Sequence, residues 1–232
     1  MPPVVERPLF FLDYDGTLAP IVDDPDAAVP HPDVPDLLRR LDAHFPLWIV
    51  TGRDIEALSQ FLDRPYRAIG LHGAQEGTVG GEVRQLLPEA AVQALRRLRR
   101  TVPSIDGLRV EKKNQTFAVH YRAAADEERA KKQLREWLSD LPDVLDVVWG
   151  KKVVELRAAG LTKGTAVERI ANEHPECTPV YLGDDTTDED AFETLQESEG
   201  SAVTIKVGEG STRAAARLSG PDAVARYLSR YL

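Results

Sequence analysis

Two aspartates, Asp13 and Asp15, stand two residues apart directly behind the apolar run Pro8-Leu9-Phe10-Phe11-Leu12. In an extended chain that spacing turns both side chains the same way. Adjacent carboxylates repel unless a cation joins them, and a carboxylate can act as a nucleophile toward phosphorus. A second acidic group, Asp184-Asp185 with Asp188 behind it, follows the apolar run Pro179-Val180-Tyr181-Leu182. An oxygen-rich, cysteine-free set of this kind suits Mg²⁺, a hard ion that shares its shell with water and substrate phosphate. Thr51, Gly52 and Arg53 end a third apolar run, and Lys163 opens a helical stretch. A hydroxyl, an ammonium and backbone amides near Gly16 and Gly52 are what the oxygens of a transferring phosphoryl group need. Each piece has a plainer reading. Asp-Gly is a common turn, and Lys163 could be a surface lysine at a helix start.

The elements that must bring these pieces together are legible as a rhythm. Strands are expected at 8–12, 46–50 and 68–71, separated by helices at 34–44 and 55–62, with Asp54 as N-cap of the second. This β-α-β-α-β order predicts a parallel sheet with helices on both faces. Near residue 85 the rhythm changes to a helix and paired strands, twice: helix 88–100, a strand or hairpin over 108–122, helix 126–141, and strand-like residues 145–157 turning at 149–151. The first rhythm then returns, with helix 162–174, strand 179–182, helix 189–195 and strand 202–207. Residues 213–218 and 222–232 read as closing helices. The expected organisation is α/β: a core from 1–84 and 160–232, with a small α+β module inserted at 85–159. Ligands of open parallel sheets bind at the carboxyl ends of the strands. Three such ends carry the polar clusters named above, and that convergence is the main argument that they act together.

The remaining composition narrows the function classes. The chain has 232 residues and a formal net charge of −9, which argues against nucleic acid but permits an anionic small molecule in a locally positive pocket. The basic run Arg96 to Arg100 falls in a helical pattern and reads as a solvated face. No apolar run is long enough to cross a membrane, and the first residues lack a signal-peptide layout. With Cys177 as the sole cysteine, no internal disulfide is available, and a cytoplasmic protein is the expectation. A monomer is the separate working expectation, which nothing in the sequence fixes.

The four clusters, in this order, resemble the motifs of the haloacid dehalogenase (HAD) superfamily of phosphatases: Asp13-Tyr14-Asp15-Gly16-Thr17, then Thr51, then Lys163, then Gly183-Asp184-Asp185-Thr186-Thr187-Asp188. The resemblance implies a Rossmannoid core with an inserted cap. It implies Asp13 as nucleophile and Asp15 as the acid that protonates the leaving alkoxide and later activates water. Mg²⁺ would be held by Asp13, the Asp15 carbonyl and Asp184, with Asp188 supporting directly or through water. Thr51, Gly52 and Lys163 would bind phosphate.

A narrower likeness covers nearly the whole chain. Phe11 to Ile21, Gly70-Leu71-His72-Gly73-Ala74, Val110-Glu111-Lys112-Lys113 with His120-Tyr121-Arg122, Val153 to Arg157, and Gly183 to Asp190 are similar to segments of trehalose-6-phosphate phosphatases. Gln75 departs from that pattern, where Glu is usual. The likeness implies hydrolysis of trehalose 6-phosphate, with Lys113, Glu155, Glu111, His72 and Arg53 as substrate contacts. A disaccharide offers many hydroxyls and little apolar surface, so rigidly held polar side chains must read it. The cap residues have a plainer reading as cross-strand ion pairs, and His120 and Arg122 as braces of the hairpin. Two rival functions remain: a phosphatase for another sugar phosphate, such as a sucrose or mannosylglycerate phosphate, and a silent sugar-phosphate binder. Retention of Asp13, Asp15, Lys163 and Asp184 argues against the latter.

Overall fold

The computed structural model describes all residues except 23, 25, 26, 113–116, 151 and 199. Lys113, expected at the substrate, lies outside the described residues. The chain divides into two compact units, Met1–Gln85 with Thr162–Leu232, and Leu86–Leu161.

The larger unit is built on an eight-stranded sheet. In chain order its elements are β1 (Pro8–Leu12), α1 (Val34–Asp42), β2 (Leu47–Val50), α2 (Ile55–Leu58), β3 (Arg67–Gly70), β4 (Gln75–Thr78) and β5 (Val83–Gln85). The smaller unit contributes α3 (Glu89–Arg100), β6 (Arg109–Lys112), β7 (Phe117–His120), α4 (Glu127–Trp137), β8 (Leu145–Gly150) and β9 (Val153–Ala158). The larger unit resumes with α5 (Lys163–Glu173), β10 (Thr178–Gly183), α6 (Thr186–Glu197), β11 (Val203–Val207), β12 (Ala216–Leu218) and α7 (Pro221–Leu228).

Strand order in the large sheet is β12-β11-β10-β1-β2-β3-β4-β5, parallel from β12 to β3 and antiparallel from β3 to β5. β1 is fully buried and apolar at every position, as a strand covered on both faces must be. Its alternate residues feed two cores. Phe10 and Leu12 face α1 and α7 through Leu38, Leu41 and Val224, while Leu9 and Phe11 face α5 and α6 through Val167, Ile170 and Phe192. The fold is thus a mostly parallel α/β layer structure. Two local expectations are corrected. Residues 216–218 form a parallel strand against β11, not a helix. The helix expected over 55–62 closes after Leu58, although Asp54 does cap it by accepting from the Glu56 amide.

In the smaller unit β6-β7-β9-β8 form an antiparallel sheet. Strict alternation sends Phe117, Val119, Val154 and Leu156 toward Ala91, Leu95, Ala130 and Leu134 of α3 and α4. The opposite face therefore carries Glu111, Ala118, His120, Glu155 and Arg157. Among the described residues no helix is long and apolar enough to cross a membrane.

Candidate active site

The chain leaves β1 toward β2 on one side, and β10 returns on the other. Where a parallel sheet reverses its winding in this way, a crevice opens at the strand ends. Asp13 stands there, its amide donating to the Leu182 carbonyl at 2.9 Å. Leu182 and Gly183 close β10, so Asp184 emerges beside it.

Lys163 bridges the carboxylates. Its Nζ donates to Asp13 Oδ1 and to Asp188 Oδ1, at 2.7 Å each. Thr162 caps α5 in a reciprocal pair with Thr165, which places Lys163 at the first helical position. Asp188 is fully committed to protein donors: Oδ1 also receives the Tyr181 hydroxyl at 2.7 Å, and Oδ2 receives the Asp185 amide at 2.9 Å. Burial works to lower the pKa of the Lys163 ammonium, but the charges of Asp13 and Asp188 outweigh it and drive the net shift upward. Burial and the neighbouring Asp188 carboxylate raise the Tyr181 phenol, which keeps it a donor.

Carboxylate oxygens of Asp13, Asp184 and Asp188 lie within 4.8 Å of one another. The carboxylates outnumber the ammonium between them, and burial pushes Asp13 well above its ordinary value against the pull of Lys163, a strain that a cation would relieve. Burial, with Asp188 and Asp185 beside it, pushes Asp184 up to about 6, against the opposing charges of Lys206 and Lys163. The excess charge and the all-oxygen donor set fit a hard divalent ion. Lys206, 6% exposed at the end of β11, donates to the Asp184 carbonyl and faces Glu189 at 3.9 Å, so its own charge is answered.

Asp15 is held differently. Arg53 grips it with a fork, Nε to Oδ2 and Nη2 to Oδ1, both at 2.7 Å. The guanidinium in turn lies 5.5 Å from the Tyr14 ring centroid and 5.1 Å from that of Phe61. Arg53, expected at the substrate, is therefore seated on Asp15. Gly16 adopts φ +73°, and a Cβ there would fall 2.0 Å from Asp184 Oδ2. The Asp15–Thr17 turn thus approaches Asp184 through the space of a missing side chain.

Thr51 is buried at the end of β2, and its Oγ1 accepts from the Arg53 amide at 3.1 Å. His72 lies across Gly52, where a Cβ would meet its ring at 2.5 Å. Leu71 and His72 have φ +48° and +56°, an uncommon left-handed pair for non-glycine residues. Their amides donate to the Arg53 and Thr51 carbonyls at 2.9 and 3.1 Å, which holds the turn in place. Gln75 has a clear local role. Its Oε1 accepts from the Ile55 amide at 3.1 Å, and its Nε2 donates to Asp54 Oδ2 at 3.2 Å. A glutamate here would set two carboxylates together; the amide supplies one acceptor and one donor.

Asp13, Lys163, Asp184 and Asp188 thus form one cluster, with Asp15–Arg53 and Thr51–Gly52–His72 on neighbouring turns of the same unit. Glu111 and Glu155 lie in the smaller unit, on one row across its sheet. Glu111 pairs with Ala118, and Ala118 with Glu155. Sequence reasoning missed Lys206 and Tyr181. The signal for Lys206 was a lysine inside the apolar strand Val203–Val207, since a charge in a buried strand must have partners.

Comparison with known proteins agrees with the geometry. A haloacid dehalogenase-like hydrolase from B. subtilis superposes with a TM-score of 0.66 at 14% identity, covering 97% of this chain and 99% of that one, which establishes the fold class. The family model described as trehalose-phosphatase matches residues 11–222, and the chain belongs to that family. The trehalose-phosphate phosphatase of Mycobacterium marinum is 36% identical over 234 residues, 96% of this chain and 60% of that protein. The trehalose-6-phosphate phosphatase structure from Aspergillus fumigatus gives a TM-score of 0.74 at 27% identity, covering 97% and 92% of the two chains. This chain spans about 60% of the length of the mycobacterial relatives it matches.

Proposed function

We propose that this protein hydrolyses trehalose 6-phosphate to trehalose and phosphate through an aspartyl-phosphate on Asp13, with Mg²⁺ as cofactor. The observation that carries the reading is Lys163, buried and shared by Asp13 and Asp188 beside Asp184, in a chain of the trehalose-phosphatase family. A carboxylate nucleophile must approach an anionic phosphate, and a fixed ammonium touching that carboxylate reduces the repulsion.

An oxygen of Asp13 attacks phosphorus while the bond from phosphorus to the sugar oxygen breaks. Asp15 gives its proton to the departing alkoxide, then takes one from the water that attacks the aspartyl-phosphate, returning Asp13 and releasing phosphate. The Arg53 fork holds Asp15 on a fixed axis. Thr51, Gly52 and Lys163 receive the phosphate oxygens, and His72 supports Gly52 from behind. The carboxylates of Asp13 and Asp184 and the carbonyl of Asp15 would hold Mg²⁺, whose charge offsets that of the phosphate. Asp188, engaged by three protein donors, acts chiefly by fixing Lys163. The smaller unit, residues 86–161, supplies sugar specificity through Glu111, Lys113 and Glu155.

The test is phosphate release from trehalose 6-phosphate, sucrose 6-phosphate and glucose 6-phosphate, with Mg²⁺ and with EDTA. Mg²⁺-dependent release confined to trehalose 6-phosphate is expected. Preference for another sugar phosphate would keep the chemistry and overturn the specificity, and no release at all would defeat both.

A further inference from the structure

The face of the smaller sheet turned away from α3 and α4 places two carboxylates either side of a methyl group. Glu111 on β6, Ala118 on β7 and Glu155 on β9 are direct cross-strand partners, so their side chains share one face. Ala118 is 2% exposed between the two glutamates. Two interstrand spacings, about 9.6 Å, separate the backbones that carry the glutamates. The row therefore sets two carboxylate acceptors on one face, either side of a buried alanine, and carboxylate acceptors suit a ligand bearing hydroxyl donors.

His120 lies on the same face, two residues beyond Ala118, and its Nε2 donates to Glu111 Oε2 at 2.6 Å. Both side chains keep part of their surface in water, 36% and 40% exposed. A glutamate has several rotors, and ordering them when a ligand arrives costs affinity. A partner that already holds one carboxylate oxygen removes part of that cost and aims the rest of the group. Resting on the proposed reading of Glu111 as a sugar contact, we propose that His120 is a positioning residue. It presets the Glu111 carboxylate for a substrate hydroxyl and thereby sets preference for a hydroxyl-rich phosphate over a simple aryl phosphate.

The experiment compares the full chain and its variants, with Mg²⁺, on trehalose 6-phosphate and p-nitrophenyl phosphate. His120→Ala should lower kcat/KM for trehalose 6-phosphate at least tenfold more than for p-nitrophenyl phosphate, chiefly through KM. His120→Gln, whose amide can still donate, should recover part of the loss and serves if the alanine variant does not fold. His120→Ala combined with Glu111→Gln should cost less than the product of the single effects, because both remove one interaction. Equal losses on the two substrates, or multiplicative losses in the double variant, would overturn the inference alone. A Glu111→Gln variant with undisturbed trehalose 6-phosphate kinetics would overturn it together with the sugar contact it rests on.

Discussion

The two units treat their charged groups in opposite ways. In the larger unit Lys163, Asp13 and Asp188 retain 3%, 5% and 0% of their side-chain surface, and each holds the next in place. In the smaller unit His120 and Glu111 meet on a face that water reaches. The difference follows from sheet type. A parallel sheet covered on both faces can offer chemistry only at its strand ends, where a few groups are packed at high cost and cannot be exchanged singly. An antiparallel sheet with one uncovered face offers every second residue for recognition, each answerable to water if a partner is lost. Chemistry should therefore be brittle and shared by all substrates, while specificity should be graded and selective.

The largest effect tests the brittle half. Asp13→Asn should lower turnover of trehalose 6-phosphate and of p-nitrophenyl phosphate alike by at least about a thousandfold, the scale on which losing a nucleophile acts. A phosphate-release assay on folded protein checks it, and near-normal turnover would remove the covalent mechanism. Next is Lys163→Met, which leaves Asp13 and Asp188 buried without their shared cation. Destabilisation by about 3–5 kcal/mol is expected in urea unfolding without metal. A change below about 1 kcal/mol would mean that the cluster is not an interdependent unit.

Part of this design was readable in the residues. The four polar clusters, their strands and the change of rhythm near residue 85 all follow from apolar runs and helix starts. Three features did not. Residues 213–218 contain three successive alanines, which favour a helix, but a ladder with β11 prevails over local preference. The hairpin β4–β5 is short and poor in β-branched residues, so that Gly80-Gly81 was its only plain signal. The seating of Arg53 on Asp15 joins residues 38 positions apart, a pairing no local pattern encodes.

The selective half gives a smaller and uneven effect. Glu155→Gln should raise KM for trehalose 6-phosphate about tenfold, the scale of one net hydrogen bond, and alter p-nitrophenyl phosphate kinetics far less. Equal changes on both substrates would erase the contrast between the units. The smallest effect is on pH dependence. Asp184 titrates near 6 in the metal-free folded chain, above its ordinary 3.8. Between about pH 4 and 6 the native state then keeps a proton that the unfolded chain has released, so stability should fall as pH rises through this window. On the proposed reading, saturating Mg²⁺ would take the place of that proton, and the fall should shrink. Urea melts in EDTA and in Mg²⁺ check both, and a rise in stability over the EDTA series would reverse the assignment.

Gly16 and Gly52 carry a consequence for how the molecule can change over generations. At each, even a methyl group would strike a neighbouring side chain, Asp184 in one case and His72 in the other. A substitution at either position must displace that neighbour, and at Gly16 it must also adopt a left-handed backbone, because what these residues contribute is vacant space. Glu111 and His120, part-exposed on the sheet of the smaller unit, leave room for other side chains. Change is thus open to small steps at such positions of the smaller unit, while the glycine-lined turns of the larger unit are inherited whole.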